Sequence, residues 1–319
     1  MRADGTEVDG PDPMLVWLGS PRSTEPALVG LKTSHLSSLA GSFPVPGGFC
    51  VTTRAFTACA GSSTMPAALV AAITEAYLWL AQTSPAVAVR SSAVDEDGHS
   101  ASFAGQLTST LNVEGADAVI AAIATTWRSA DSEAALAYRL ARGLDTSAAP
   151  VAVIVQRLVR ADSSGVAFSI DPVSGDPNRV VVNATWGLGE SLVNGAVAPD
   201  RLVADKATLA LISEELGAKE RMTILTPSGV RDVATPSFLR AGPALTADQR
   251  TAVFALTRDL ETWLGWPVDI EFAFGPAGLS LLQCRPVTTA AGDQPRTGDG
   301  VSGTEAPGAG PHGPTTDLA

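Results

Sequence analysis

Glu271, Gln283 and Arg285 are polar residues set inside two otherwise apolar runs. Residues 268–287 read VDIEFAFGPAGLSLLQCRPV. A buried carboxylate is costly unless it is paired or binds a metal. A carboxylate, an amide oxygen and a guanidinium on adjacent strands suit Mg²⁺ and a polyphosphate. A structural Glu–Arg ion pair within a sheet is the other reading of the same residues. Two further cations stand near small polar residues. Lys32 lies in a Gly-containing stretch, LVGLKTSH, just before a short expected helix. Arg90 ends the apolar run of VAVRSSA and is followed by two serines. The segment SFAGQLTS then supplies Gly105, Gln106, Thr108 and Ser109, whose donors and open backbone suit the covering of phosphates; an ordinary surface loop has the same composition.

These residues must be held by regular elements. Val268, Ile270, Phe272 and Phe274 alternate with Asp269, Glu271 and Ala273, the period of a half-buried strand. Gly275-Pro276-Ala277-Gly278 is turn chemistry, and Pro286 ends a second strand. Opposed residues of an antiparallel pair share a face. A tight loop at 275–278 would put Glu271 opposite Leu282. One shared metal instead demands a one-residue shift, through a longer loop or a bulge, with Glu271 opposite Gln283 and Asp269 opposite Arg285. Ile270, Phe272, Phe274, Leu282 and Cys284 then face the core.

Upstream, strands are expected at 14–18, 49–52, 86–89, 109–113, 150–158, 165–170, 179–183 and 202–204. Helices are expected around Leu36 and Leu39, over 66–81, and as a pair within 114–143 split near Ser132. Thr246 and Gln249 fit a capping box that opens a helix with Val253, Leu256, Leu260, Trp263 and Leu264 on its apolar face, stopped by Gly265. Trp186-Gly187-Leu188-Gly189-Glu190 reads as a Gly-rich turn, by itself a weak phosphate signal. Residues 206–242 show mixed turns and short strands. Residues 1–13 and the Gly/Pro-rich 290–319 read as disordered.

Composition narrows the function. The 319 residues are 45% hydrophobic and 17% charged, enough for one large or two medium domains with real cores. The net charge of −12 argues against a nucleic-acid or anionic-membrane partner. No apolar run reaches the roughly 20 residues of a membrane span, and the first residues do not form a secretory signal. Three scattered cysteines and three histidines exclude a disulfide framework and histidine-rich metal chemistry, and fit a reducing cytoplasm.

In order, VGLK, VPGGF, VAVRSSA, ASFAGQ, IVQRLV, SGVAFSIDPVSG, WGLGES and DIEFAF…LLQCRP resemble the N-terminal ATP-binding domain shared by phosphoenolpyruvate synthase, pyruvate phosphate dikinase and rifampin phosphotransferase. The similarity runs from about residue 14 to about 289. It implies an ATP-grasp fold of the α/β (α+β) class, with lobes 14–156 and 157–289 sandwiching the nucleotide, and ATP and Mg²⁺ as cofactors. Lys32 and Arg90 match phosphate-binding residues, and Gly105 and Ser109 the loop over the nucleotide. Gln156 and Leu158 match the inter-lobe strand lining the adenine pocket. Glu271 and Gln283 match the magnesium ligands, and Arg285 the arginine near the terminal phosphates. Lys32, Arg90 and Arg285 are thereby the expected catalytic cations.

Two positions depart from the family pattern: Leu31 stands where a glycine is usual, and Ser109 where a threonine is. The family's swivelling phosphohistidine domain and its acceptor domain are not matched. The resemblance therefore implies a separate swivelling-domain protein and an acceptor-binding protein as partners. The implied reaction moves the diphosphoryl unit of ATP to that partner's histidine, with AMP as product. Two alternatives are a self-contained ligase forming an acyl phosphate and ADP, and a non-catalytic ATP-binding subunit. Thr33-Ser34-His35 echoes the string around the family's phosphohistidine but lies inside the ATP-domain motif, so His35 is assigned no transfer role.

Overall fold

The computed structural model describes residues 13–62, 64–94, 109–130, 132, 140, 150–227 and 229–287. The strands are β1 (Leu15–Trp17), β2 (Gly48–Val51), β3 (Val87–Ala93), β4 (Thr110–Val113), β5 (Val151–Arg157), β6 (Ser163–Phe168), β7 (Arg179–Trp186), β8 (Asp200–Asp205), β9 (Leu211–Glu215), β10 (Arg221–Thr226), β11 (Gly229–Ala234), β12 (Val268–Gly275) and β13 (Gly278–Pro286). The helices are α1 (Pro26–Leu39), α2 (Thr53–Cys59), α3 (Ala67–Ala81), α4 (Ala116–Ser129), α5 (Glu190–Val193), α6 (Ser237–Arg240) and α7 (Ala247–Leu264).

Two antiparallel sheets carry the mixed α/β fold. The first has the order β1-β2-β5-β3-β4, the second β13-β12-β6-β7-β8-β9, and β10-β11 form a separate hairpin. The first sheet buries Val87, Val89, Val153 and Val155 against Ile73 and Leu80 of α3 and Ile123 and Trp127 of α4. The second buries Ile270, Phe272 and Val182 against Phe254, Leu256 and Leu260 of α7 and Leu36 and Leu39 of α1. Helix α1 thus packs on the second sheet while reaching β3 of the first.

The Thr246 capping box forms, and Gly265 closes α7 at φ 76°. Trp263, expected on the apolar face, is exposed instead. At 100° per residue the buried arc runs from Leu256 through Leu260, Val253 and Thr257 to Phe254, and Trp263 lies just beyond its Leu256 edge, where its ring meets Phe43 edge-on. Helix α2 was not expected; Thr52 caps it by accepting from the Ala55 amide.

Two local readings change. Strand β3 does not end at Val89 but continues through Ala93, so Arg90 sits in mid-strand. The added residues pair with β5 as far as Ala93–Val151, and Ser92 Oγ ties them to α1 by donating to the Val29 carbonyl at 2.7 Å and accepting from the Thr33 amide at 3.0 Å. Lys32 lies inside α1 rather than before a helix, just past a break at Gly30 (φ 75°, ψ 163°). A Cβ on Gly30 would sit 2.0 Å from the Ser92 carbonyl oxygen, so this contact requires glycine.

The β12–β13 ladder shifts by one residue between Glu271 and Phe272. Glu271 therefore opposes Gln283, and Asp269 opposes Arg285. The bulge leaves Leu282 as the extra residue, so Leu281, not Leu282, is the buried core residue. Of the expected disordered start only Pro13 is described, its carbonyl accepting from Thr52 Oγ1 at 2.8 Å. The second helix expected within 114–143 and residues 290–319 lie outside the described residues.

Candidate functional site

The site is assembled by Arg90, which leaves the first sheet and meets the bulged hairpin of the second. Its Nη2 donates to Glu271 Oε2 at 2.8 Å and to Gln283 Oε1 at 3.2 Å, and its Nη1 donates to the Leu282 carbonyl at 3.1 Å. The bulge aims that carbonyl. One planar guanidinium thus reads three acceptors on one hairpin, which its fork geometry suits.

Charge around Glu271 is balanced closely. Burial pushes its carboxyl up. Arg90's charge and hydrogen bond, then Lys32 and Arg285, outweigh burial and hold it below its ordinary value of 4.5. Lys32 is buried, and its Nζ donates to the Ser91 carbonyl at 3.2 Å. Arg285 Nε donates to Asp269 Oδ2 at 2.8 Å, the cross-strand partner set by the register. Three cations and two carboxylates therefore surround the hairpin in a chain whose net charge is −12.

Arg90, Ser109, Gln156, Leu158 and Glu271 line a single cleft of about 520 Å³ between the sheets, within the usual range for small-molecule sites. Gln156 Nε2 donates to the Pro46 carbonyl at 2.9 Å, tying β5 to the turn that enters β2. Lys32, Gln283 and Arg285 do not line that cleft; Gln283 joins it through Arg90, and the charges of Lys32 and Arg285 act on Glu271. Gly105 lies outside the described residues. His35 packs near Trp266, ring centroids 5.6 Å apart, and does not line the cleft.

The cleft also holds Glu190, from the Gly-rich turn read as a weak phosphate signal, and residues of the β10–β11 hairpin that sequence reading did not single out. Glu190, Arg231 and Asp232 line it with Thr223 and Val230. Burial first, then the charge of Asp232, push the Glu190 carboxyl up, against the pull of Arg90. From the sequence, 206–242 reads only as mixed turns and short strands; the signal that could have marked the β10–β11 ladder is the pair of runs RMTILT and GVRDVA around Pro227-Ser228. Nothing local in it shows that it faces the cleft.

The donor set fits a hard divalent cation. Glu271 and Gln283 offer two oxygens on one face, and Mg²⁺ commonly takes one or two protein ligands, filling the rest with water and substrate phosphate. Among the described residues no cluster of three or more acidic, histidine or cysteine side chains forms a fuller protein cage.

Residues 58–300 match the family described as pyruvate phosphate dikinase, AMP/ATP-binding domain. The chain is 35% identical to the prodigiosin synthesizing transferase PigC of Serratia marcescens, over 87% of this chain and 33% of that protein. It is 38% identical to a probable phosphoenolpyruvate synthase of Pyrococcus abyssi, over 70% and 29% of the respective lengths. It is 34% identical to a rifampicin phosphotransferase of a Streptomyces species, over 82% and 34%. The chain spans about a third of the length of these relatives. A family match across most of the chain, on a fold that gathers Arg90, Gln156 and Glu271 in one cleft, places it plainly: the chain belongs to the pyruvate phosphate dikinase AMP/ATP-binding domain family.

Proposed function

We propose that this chain binds Mg·ATP between its two sheets, in an ATP-grasp arrangement, and is the nucleotide-binding part of a dikinase-type phosphotransferase. The observation that carries the reading is the meeting of Arg90 from the first sheet with Glu271 and Gln283 of the second, Arg90 and Glu271 lining the cleft. The lobes divide near 156–157, where the first sheet ends and the second begins. Gln156 and Leu158 face the base, and Ser109, with Gly105 in the preceding loop, covers the phosphates. Arg90, Lys32 and Arg285 offset phosphate charge and hold the chain of phosphates in line for attack. Glu271 and Gln283 hold Mg²⁺, which supplies charge neutralisation to the transferring groups.

On this reading a histidine of a separate swivelling protein receives the diphosphoryl unit and AMP leaves. The final acceptor is bound by a further protein or domain, in the cytoplasm. The test mixes the full chain, Mg·ATP and a phosphohistidine-domain protein, and separates the nucleotide products. AMP, with acid-labile phosphate on the partner, is the expected result. ADP formed by the chain with a carboxylate acceptor would replace this reading with the acyl-phosphate ligase. Binding without turnover in every combination would replace it with a non-catalytic subunit.

A further inference from the structure

The β10–β11 hairpin belongs to neither large sheet, yet it crosses the cleft. Its root is fixed on the second sheet. Lys219, fully buried just ahead of β10, pairs with Asp200 at the start of β8. Asp200 also accepts from the Gly217 amide at 2.9 Å and the Ala244 amide at 2.7 Å. Its middle is docked too. The Leu188 amide donates to the Thr223 carbonyl at 2.9 Å. Gly187 permits this approach, since at φ +73° a Cβ there would lie 2.3 Å from the same carbonyl oxygen.

The tip reaches the other sheet. Asn112 of β4 donates from Nδ2 to the Thr226 carbonyl at 2.7 Å and to the Gly229 carbonyl at 3.1 Å, the last pair of the hairpin ladder. Asn112 has φ 59°, a left-handed conformation that asparagine tolerates better than most residues. Its carboxamide has two N–H donors, which suits two carbonyls. Between root and tip, Thr223, Val230, Arg231 and Asp232 wall the cleft.

We infer that this hairpin is a strap across the cleft, and that Asn112 is the positioning residue that latches it and sets how long a bound nucleotide stays. The inference rests on the nucleotide-binding reading above. A root held by a buried ion pair stays put, whereas the Asn112 carboxamide's two hydrogen bonds to the tip break at modest cost. Opening the tip unlocks the part of the wall beyond the Thr223 dock, Val230 and Arg231, without disturbing either sheet.

The test uses the full chain with Asn112→Gly, which keeps the backbone freedom and removes the carboxamide. Asn112→Asp, which sets an acceptor against two carbonyls, is the second variant should the first fail to fold. Three measurements are made: release of N-methylanthraniloyl-ATP in a stopped-flow chase, hydrogen exchange over 221–234, and thermal melting. The expected result is release faster by about tenfold, the effect of roughly one lost hydrogen bond, with unchanged association. Hairpin amides exchange faster while the melting temperature stays near that of the wild type. Unchanged release and unchanged exchange overturn the latch. If the wild type itself fails to bind the analogue, the nucleotide reading and the residence claim fall together, and exchange alone decides whether Asn112 holds the strap.

Discussion

Arg90 and Glu271 stand 181 residues apart in the chain and 2.8 Å apart in the fold, each on a different sheet. Their side chains are only 16% and 24% exposed. The pair is therefore semi-buried, held by a second acceptor at Gln283 and a third at the Leu282 carbonyl. Binding phosphate at Arg90 and a cation at Glu271 would redirect two charges that now neutralise each other.

That geometry makes Arg90→Lys a sharp variant. An ammonium keeps the charge but cannot fork to three acceptors. ATP-dependent transfer to the partner histidine is expected to fall by about 10²–10³-fold, with the circular dichroism spectrum unchanged. Glu271→Ala is expected to lose transfer to a similar degree. Wild-type turnover in a folded Glu271→Ala variant would remove Glu271 from the site.

Glu271 and Glu190 should respond to pH with opposite signs. The Glu271 carboxyl is lowered in the folded protein, so its stabilisation is present above the unfolded value and is lost as pH falls through the folded one. The Glu190 carboxyl is raised, so its favourable contribution is present below the unfolded value and is lost as pH rises through the folded one. In urea denaturation at about pH 7, Glu271→Gln should be less stable than the wild type and Glu190→Gln more stable. Both differences should shrink in acid, once the wild-type carboxyls are protonated. Differences of the same sign would contradict the charge arrangement.

Gly30→Ala tests the docking of α1 on β3. The added methyl meets the Ser92 carbonyl, and the backbone there is left-handed. A stability loss of about 2–4 kcal/mol is expected. Lys32, two residues on, should be displaced with it, so nucleotide affinity falls even at temperatures where the variant is folded. A near-native melting curve would show that α1 and β3 do not meet at Gly30.

Lys219→Met removes one member of a buried ion pair and strands Asp200. The expected cost is about 3–5 kcal/mol, read as a shift in the denaturation midpoint. Asp200→Asn in the Lys219→Met background should recover part of it, because no buried charge is then left alone. A Lys219→Met variant as stable as the wild type would show that the pair is solvated in solution.

The amino-acid sequence by itself determined what depends on near neighbours. The period-two alternation of Val268–Phe274, the Thr246–Gln249 capping box and the Gly265 stop are local chemistry, and each forms where its residues stand. The register of the hairpin was also legible, because Glu271 and Gln283 can share a face only through a one-residue shift. The span of β3 was not, because Ser91 and Ser92 stay extended through pairing with β5 and contacts with α1, 59 and 63 residues away. Nor was the fate of Leu282: a longer loop and a bulge give the same Glu271–Gln283 pairing, and only the bulge that forms sets Leu281 rather than Leu282 opposite Phe272 in the core. Tertiary structure alone brought Glu190 and Asp232 to Arg90 and carried the β10–β11 hairpin to Asn112, 114 residues from Thr226. Such contacts join surfaces whose sequences carry no mutual signal, and only the closing of two sheets around one cleft sets their distance.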